Sequence, residues 1–242
     1  MAFREELIYM AKVCEQTERF IDMKSYMKDV VLAGQPLSID ERNLLSLAYK
    51  NPVSQNRSAW RALVAAEQRE ESRGGKHLQQ LRGYRKKIEE DLTLYCNEII
   101  ELVDKYLINR SDDPESQVFY LKLKADYYRY MGEYMIGPNK QAVAENASKN
   151  YSQATAIANE KLEPTNPLRL GLALNYSVFF YEIMEQVTEA ITLSKKAFDD
   201  AIANIEKLTD AEYKDATTIM QLIRDNLTLW TASVNDENDS DK

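Results

Sequence analysis

Apolar residues recur at helical spacing along almost the whole chain, and short polar breaks divide the pattern into nine segments. Residues 38–41 and 209–212 have the Ser/Thr-x-x-Glu pattern of a capping box, which marks a helix start. Residues 113–114 and 166–167 place Asp or Asn before a proline, the arrangement of a cap and first helical position. The predicted helices span residues 3–17, 20–33, 39–72, 77–108, 114–136, 140–161, 167–185, 188–206 and 211–232. The pattern therefore predicts an all-α fold. The short connections between the helices favour antiparallel packing of sequential helices.

Three features qualify this outline. Gly137-Pro138 is predicted to end the fifth helix, and Pro52, inside the third, is predicted to kink it because proline lacks a backbone donor. Residues 1–232 are interpreted as one helical domain. From residue 233 the chain is polar and acidic without apolar periodicity, so 233–242 is predicted to be a disordered acidic tail.

Composition supports long helices and excludes several functions. The 242 residues include only 7 Gly and 6 Pro, which strand-and-turn folds use freely. A net charge of −8 disfavours nonspecific binding to nucleic acid or an anionic membrane surface. No stretch is apolar enough to span a membrane, and the charged N-terminus does not resemble a signal peptide. We therefore expect a cytoplasmic protein, with the nucleus as an additional location, whose two cysteines are reduced.

Basic residues occur seven apart on two predicted helices. Lys50 and Arg57 share a face of the third helix, and Lys122 and Arg129 share a face of the fifth, where Tyr130 follows. Arginine offers a planar fork of donors that matches phosphate oxygens, and lysine adds a point charge. Spacing alone leaves two interpretations open, because solvated helix faces often carry such pairs.

Signals for catalysis are poor. The sequence contains no GxSxG, P-loop or HExxH motif, and its one histidine, His77, lies beside two glycines. The apolar stripes of the seventh and ninth helices contain Asn175 and Asn226, amides that need a partner if they are buried. We expect no catalytic residue, no metal site and no cofactor.

Five segments carry a resemblance to a known family. They are RNLLSLAYKN (42–51), SAWR (58–61), YLKLKADYYRYMGE (120–133), NPLRLGLALNYSVFFYEI (166–183) and YKDATTIMQLIRDNLTLWT (213–231). In order and spacing they closely resemble the signature segments of 14-3-3 proteins, and the similarity covers about residues 3–232. The resemblance implies nine antiparallel helices per protomer, a W-shaped dimer, and in each protomer an amphipathic groove for a phosphorylated segment of a client protein.

The resemblance also implies roles for individual residues. It assigns phosphate binding to Lys50, Arg57, Arg129 and Tyr130. It assigns the peptide-binding groove to Lys122, Leu174, Asn175, Val178, Glu182, Ile219, Leu222, Asn226, Leu229 and Trp230. Thr218 stands where the apolar wall of the groove often has leucine.

The same resemblance implies a dimer through the N-terminal helices. It places Val13, Leu63 and Tyr84 in the packed interface, with intersubunit salt bridges Arg19–Asp91 and Asp22–Lys87. We expect a homodimer, with heterodimers within the family as an open possibility. The main alternative function is a phosphate-independent helical scaffold for peptides. A phosphatase is disfavoured, since the sequence offers neither a metal site nor a nucleophile.

Overall fold

The computed structural model describes the backbone of residues 2–240 and the side chains of residues 3–233. Within that part of the chain there are nine α-helices and no strand, which confirms the predicted all-α class. The helices are α1 (Ala2–Gln16), α2 (Phe20–Leu32), α3 (Ile39–Ser72), α4 (Leu78–Leu102), α5 (Pro114–Gly132), α6 (Gly137–Lys161), α7 (Pro167–Glu182), α8 (Val187–Ile202) and α9 (Asp210–Ser240). None of the described helices is long and apolar enough to cross a membrane.

The predicted helix starts follow from local capping chemistry. Ser38 and Glu41 form a reciprocal box, in which the Glu41 N–H donates to the Ser38 hydroxyl and the Ser38 N–H donates to the Glu41 carboxylate. The side chains of Asp113 and Asn166 accept backbone N–H bonds at the starts of α5 and α7. These bonds satisfy donors that a helix cannot satisfy internally, which explains why the three starts lie where the sequence predicts them.

The end of α5 corrects one prediction. The helix stops at Gly132, not near residue 136, and Gly137 opens α6 instead of closing α5. Gly137 has a φ of 58°, a left-handed conformation that suits glycine, and Pro138 occupies the first turn of α6. Proline disfavours a right-handed helical conformation at the residue before it, so the chain must leave one helix and start another here.

The last helix is longer than the sequence pattern indicates. α9 continues to Ser240, across most of the segment predicted to be a disordered tail. No glycine or proline interrupts the chain after Asp210, so nothing in its backbone chemistry forces the helix to stop. Residues 241 and 242 of the predicted tail lie outside the described residues.

The chain divides into two compact units, Met1–Ser111 and Asp112–Lys242. In the first unit, α1 packs on α2 and α3, and α3 packs on α4. In the second unit, α5 packs on α6 and α7, while α7, α8 and α9 contact one another. One core cluster of the second unit joins Leu170 of α7 to Ala201 of α8 and to Ile223 of α9.

A polar network ties three helices of the first unit together. The Glu98 carboxylate of α4 accepts hydrogen bonds from Lys24 and Lys28 of α2 and from the Tyr49 hydroxyl of α3. Burial alone would raise the pKa of Glu98, but these three donors outweigh it and lower that pKa. The network fixes α3 at Tyr49, directly before the predicted phosphate ligand Lys50.

Candidate functional site

The first unit presents two of the predicted phosphate ligands on α3. Lys50 is exposed and Arg57 is half-buried. The helix runs through Pro52 without interruption, and the Asn51 side-chain amide donates to the Leu47 carbonyl at 3.0 Å. Pro52 itself is buried, so the ring contributes to the core of the unit as well as removing a backbone donor. The kink predicted at Pro52 stays a prediction.

The second unit contains a polar cluster centred on Asp126 of α5. Lys122 Nζ lies 2.8 Å from Asp126 Oδ2, one helical turn away. The Tyr151 hydroxyl of α6 donates to Asp126 Oδ1 at 2.5 Å, and the Asn175 side-chain amide of α7 donates to both carboxylate oxygens at 2.9 and 3.0 Å. One carboxylate thus holds donors from three helices, and Asp126 and Tyr151 are both buried.

Arg129 is held against the same cluster. Its Nε donates to the Tyr151 hydroxyl at 3.2 Å, and its guanidinium carbon lies 4.7 Å from the centre of the Tyr130 ring. Its two Nη atoms lie 3.9 Å from Asp126 and 4.0 Å from Glu182, which is too far for hydrogen bonds. Within the described part of the chain, each Nη atom therefore has a carboxylate nearby but no hydrogen-bond acceptor, although the Arg129 side chain is only 7% exposed.

The protonation states in this cluster are well defined. Burial by itself would raise the pKa of Asp126, but the charges of Lys122 and Arg129 and the hydrogen bonds to the carboxylate lower it below its ordinary value. Burial and the Asp126 charge raise the pKa of the Tyr151 hydroxyl well above its ordinary value. At neutral pH the cluster therefore contains an ionised carboxylate and a neutral phenol that can donate to it.

The ionised state of Asp126 determines the orientation of Asn175. A carboxylate can only accept hydrogen bonds, so the NH₂ end of the Asn175 amide must face it. The amide oxygen is then the end left for an outside donor. A peptide N–H is such a donor, which agrees with the predicted role of Asn175 in holding a peptide main chain.

The predicted groove residues of α7 and α9 differ in exposure. Leu222 and Leu229 are 50% and 64% exposed, and Leu174, Val178 and Ile219 are half-buried. These five residues leave apolar surface at the solvent, which is unfavourable unless something covers it.

Two further predicted groove residues of α9 behave differently. Trp230 is buried and stacks on Tyr181, with 4.9 Å between the ring centres, so within the protein it is a core residue that fixes α9 on α7. Asn226 is half-buried and makes no side-chain hydrogen bond to another described residue. Thr218, which stands where the apolar wall of the groove often has leucine, donates its hydroxyl to the Lys214 carbonyl at 2.8 Å. Its polar atom is therefore satisfied within its own helix.

Sequence reasoning missed Asp126 and Tyr151. For Asp126 a signal existed, because it lies four residues after Lys122 and three before Arg129, on the face that both bases share. An acidic residue on an amphipathic helix usually lies in solvent, which hid this signal. Tyr151 lies on another helix, and no local pattern connects it to α5.

The residues predicted for the dimer interface all belong to the first unit. Tyr84 is 55% exposed, Val13 and Leu63 are half-buried, and Lys87 is exposed. Arg19 and Asp22, predicted to bridge to different residues of a partner, pair with each other at 2.5 Å. An exposed pair of this kind contributes little to stability, so exchanging it for intersubunit partners would cost little.

The chain is similar to known proteins over nearly its whole length. The family model described as "14-3-3 protein" matches residues 10–231. The chain is 50% identical over 238 residues to 14-3-3-like protein F of Nicotiana tabacum, covering 97% of this chain and 92% of that protein. It is 51% identical over 238 residues to 14-3-3 protein beta/alpha of Gallus gallus, covering 98% and 97%. It is 46% identical over 235 residues to 14-3-3 protein 3 of Entamoeba histolytica, covering 97% and 98%. The chain therefore belongs to the 14-3-3 family, a family of adaptor proteins that are not enzymes.

Proposed function

We propose that this protein is a dimeric adaptor that binds phosphoserine- or phosphothreonine-containing segments of client proteins and so regulates their activity, conformation or location. The observation that carries the proposal is the state of Arg129. Its guanidinium is fixed through Nε and the Tyr130 ring, yet both Nη atoms lack a hydrogen-bond acceptor among the described residues. Family membership supports phosphopeptide binding in general.

Phosphate chemistry matches this arrangement. Two Nη groups in a fixed plane can donate to two phosphate oxygens, and such charge-assisted pairs are about twice as strong as neutral hydrogen bonds. Because Arg129 is almost fully buried, the interaction is weakly screened by solvent. The guanidinium is already ordered by Tyr151, so little side-chain entropy is lost when an anion binds.

Acidic side chains of the second unit balance the basic ones that surround Arg129. Lys122 and Arg129 carry two positive charges, which Asp126 and Glu182 balance. A phosphomonoester carries about −1.5 to −2 charges at pH 7. The second unit alone therefore supplies no net positive charge for a phosphate, and Lys50 and Arg57 of α3 stay the other two basic residues that the family resemblance assigns to phosphate.

The peptide around the phosphate would be held by amides and apolar contacts. The Asn175 oxygen is available for a peptide N–H, and Asn226 offers a second amide with no side-chain partner in the described part of the chain. Leu222 and Leu229 would be covered by side chains of the client, which removes apolar surface from water.

The test is the binding of one peptide in two forms. We expect an Arg-Ser-x-x-Ser-x-Pro peptide phosphorylated on its second serine to bind at least ~100-fold more tightly than its unphosphorylated form, since the charged contacts are worth about 3 kcal/mol. Fluorescence anisotropy with a labelled peptide measures both affinities. Equal affinities would instead support the phosphate-independent scaffold.

We also propose a homodimer formed through the first unit. Tyr84, Tyr9 and Ile21 are each more than half exposed, an arrangement that leaves large side chains in water unless a partner covers them. Two grooves in one dimer could bind two phosphorylated sites of a single client. The second contact would then be intramolecular, which can raise avidity by ~10²–10⁴-fold.

Sedimentation equilibrium tests the dimer. We expect a mass of twice 27.9 kDa for the unmodified chain and a mass near 27.9 kDa for Tyr84→Asp, because a buried unpaired carboxylate is costly in an interface. Ile136→Asp is the control, since Ile136 is 83% exposed and lies outside the predicted interface. A Tyr84→Asp variant that keeps the double mass would contradict the proposed interface.

A further inference from the structure

The Tyr151 hydroxyl lies between the two buried charges of the second unit's cluster. It donates to Asp126 Oδ1 at 2.5 Å and accepts a hydrogen bond from Arg129 Nε at 3.2 Å. Beside this bridge, Arg129 Nη2 lies 3.9 Å from the same carboxylate oxygen, which is about 1 Å longer than an ordinary hydrogen bond. The guanidinium and the carboxylate are therefore neighbours that do not bond to each other directly.

Their positions on the helix favour a direct pair. Asp126 and Arg129 are three residues apart on α5, a spacing at which opposite charges pair on a helix. Both side chains are buried, so solvent screens their attraction only weakly. Arginine and carboxylate groups also form strong, often bidentate, pairs. A direct pair would use an Nη donor that the structure leaves without an acceptor among the described residues.

The carboxylate of Asp126 has no room for this donor as long as the hydroxyl is present. Its two oxygens offer about four lone-pair sites in total. Lys122 and Asn175 donate to Oδ2, and Tyr151 and Asn175 donate to Oδ1. Loss of the Tyr151 hydroxyl would free one site on Oδ1, the oxygen that lies 3.9 Å from Arg129 Nη2.

We infer, on the basis of the proposed phosphopeptide binding, that the Tyr151 hydroxyl is a spacer that keeps the Nη donors of Arg129 open for the phosphate. It holds the guanidinium through Nε and occupies the carboxylate site that would otherwise attract Nη2. Tyr151 is thus a positioning residue, because it acts on the phosphate only through Arg129. Without its hydroxyl, the guanidinium would close onto Asp126 and bind the phosphate less often.

Tyr151→Phe removes the spacer and keeps the ring that stacks on Tyr176. We expect the phosphorylated Arg-Ser-x-x-Ser-x-Pro peptide to bind ~10-fold more weakly, since an Arg129 fork that is open in about one molecule in ten lowers the apparent affinity by that factor. The affinity for the unphosphorylated peptide should stay the same. Tyr176→Phe is the matched control, because the Tyr176 hydroxyl bonds to Ser148, and it should bind both peptides like the unmodified protein.

A double-mutant cycle separates this role from general damage to the fold. Arg129→Ala should cost ~100-fold in the unmodified protein but only ~10-fold in Tyr151→Phe, where the fork is already closed in most molecules. Two independent structural losses would instead multiply to ~1,000-fold. Losses that multiply, or a Tyr151→Phe protein that keeps the full affinity for the phosphorylated peptide, would overturn the spacer role.

Side-chain NMR of the peptide-free protein tests the spacer without any phosphate. Arg129→Lys, which lacks the guanidinium, assigns the Arg129 signals. In the unmodified protein the Nη groups should rotate freely and give averaged proton signals, whereas in Tyr151→Phe the bond to Asp126 should slow the rotation and resolve the Nη2 protons. Averaged signals in both proteins would refute the spacer. If the unmodified protein shows no preference for the phosphorylated peptide, the proposed function fails, and these signals still decide whether the hydroxyl separates the two charges.

Discussion

Replacement of Arg129 by alanine should lower the affinity for the phosphorylated peptide by ~100-fold or more. The substitution removes both Nη donors, and truncating one partner of a buried charge pair typically costs 2–5 kcal/mol of binding. The unphosphorylated peptide should lose little, so the preference for phosphate should nearly vanish. Anisotropy titrations with the two peptides measure the difference directly.

The experiment needs variants that separate binding from folding, because Arg129 also neutralises Asp126. Arg129→Lys keeps the charge and loses the planar fork, so we expect an intermediate loss of about 10-fold. Lys149→Ala, at an exposed position of α6, should bind like the unmodified protein. An Arg129→Ala protein that is folded by circular dichroism and still prefers the phosphorylated peptide would disprove the assigned role.

Local chemistry explains why most helix starts were predictable. The boxes at Ser38 and Thr209 and the caps at Asp113 and Asn166 act within four residues, so the sequence contains everything that determines them. Helix ends are less well specified. The prediction took Gly137 as a stop signal, whereas the conformational restriction imposed by Pro138 makes it the start of the next helix.

The residues of the candidate site were likewise predictable only in part. Spacing on one helix identified Lys122 and Arg129, and the family resemblance added residues of α3, α7 and α9. Neither source identified Asp126 as the centre of the second unit's cluster, because its importance comes from Tyr151 and Asn175 on other helices. A buried carboxylate is recognised by the donors that surround it, and those donors come together only when α5, α6 and α7 pack.

Because Asp126 lies at the centre of the second unit's polar cluster, we expect its replacement to lower the stability of the protein strongly. Asp126→Asn keeps the shape of the side chain but removes its charge, and its amide would place donor hydrogens against the donors of Tyr151 and Asn175. Arg129 would remain buried with a weaker counter-charge. We expect the free energy of unfolding at pH 7 to fall by about 3 kcal/mol, because breaking a buried pair by removing one partner typically costs 3–5 kcal/mol. Urea unfolding monitored by circular dichroism measures the change.

The pH dependence of the free energy of unfolding tests whether the charge of Asp126 causes the difference between the unmodified protein and Asp126→Asn. The folded-state pKa of Asp126 is lowered, so its ionised form stabilises the protein above the ordinary pKa of an aspartate and loses that effect as pH falls through the depressed value. The stability gap between the unmodified protein and Asp126→Asn should therefore stay constant from about pH 7 to 5 and narrow below about pH 4. Asp199→Asn, at an exposed position of α8, should show almost no gap at any pH. A gap that persists unchanged into acid would mean that packing, and not the carboxylate charge, holds the three helices together.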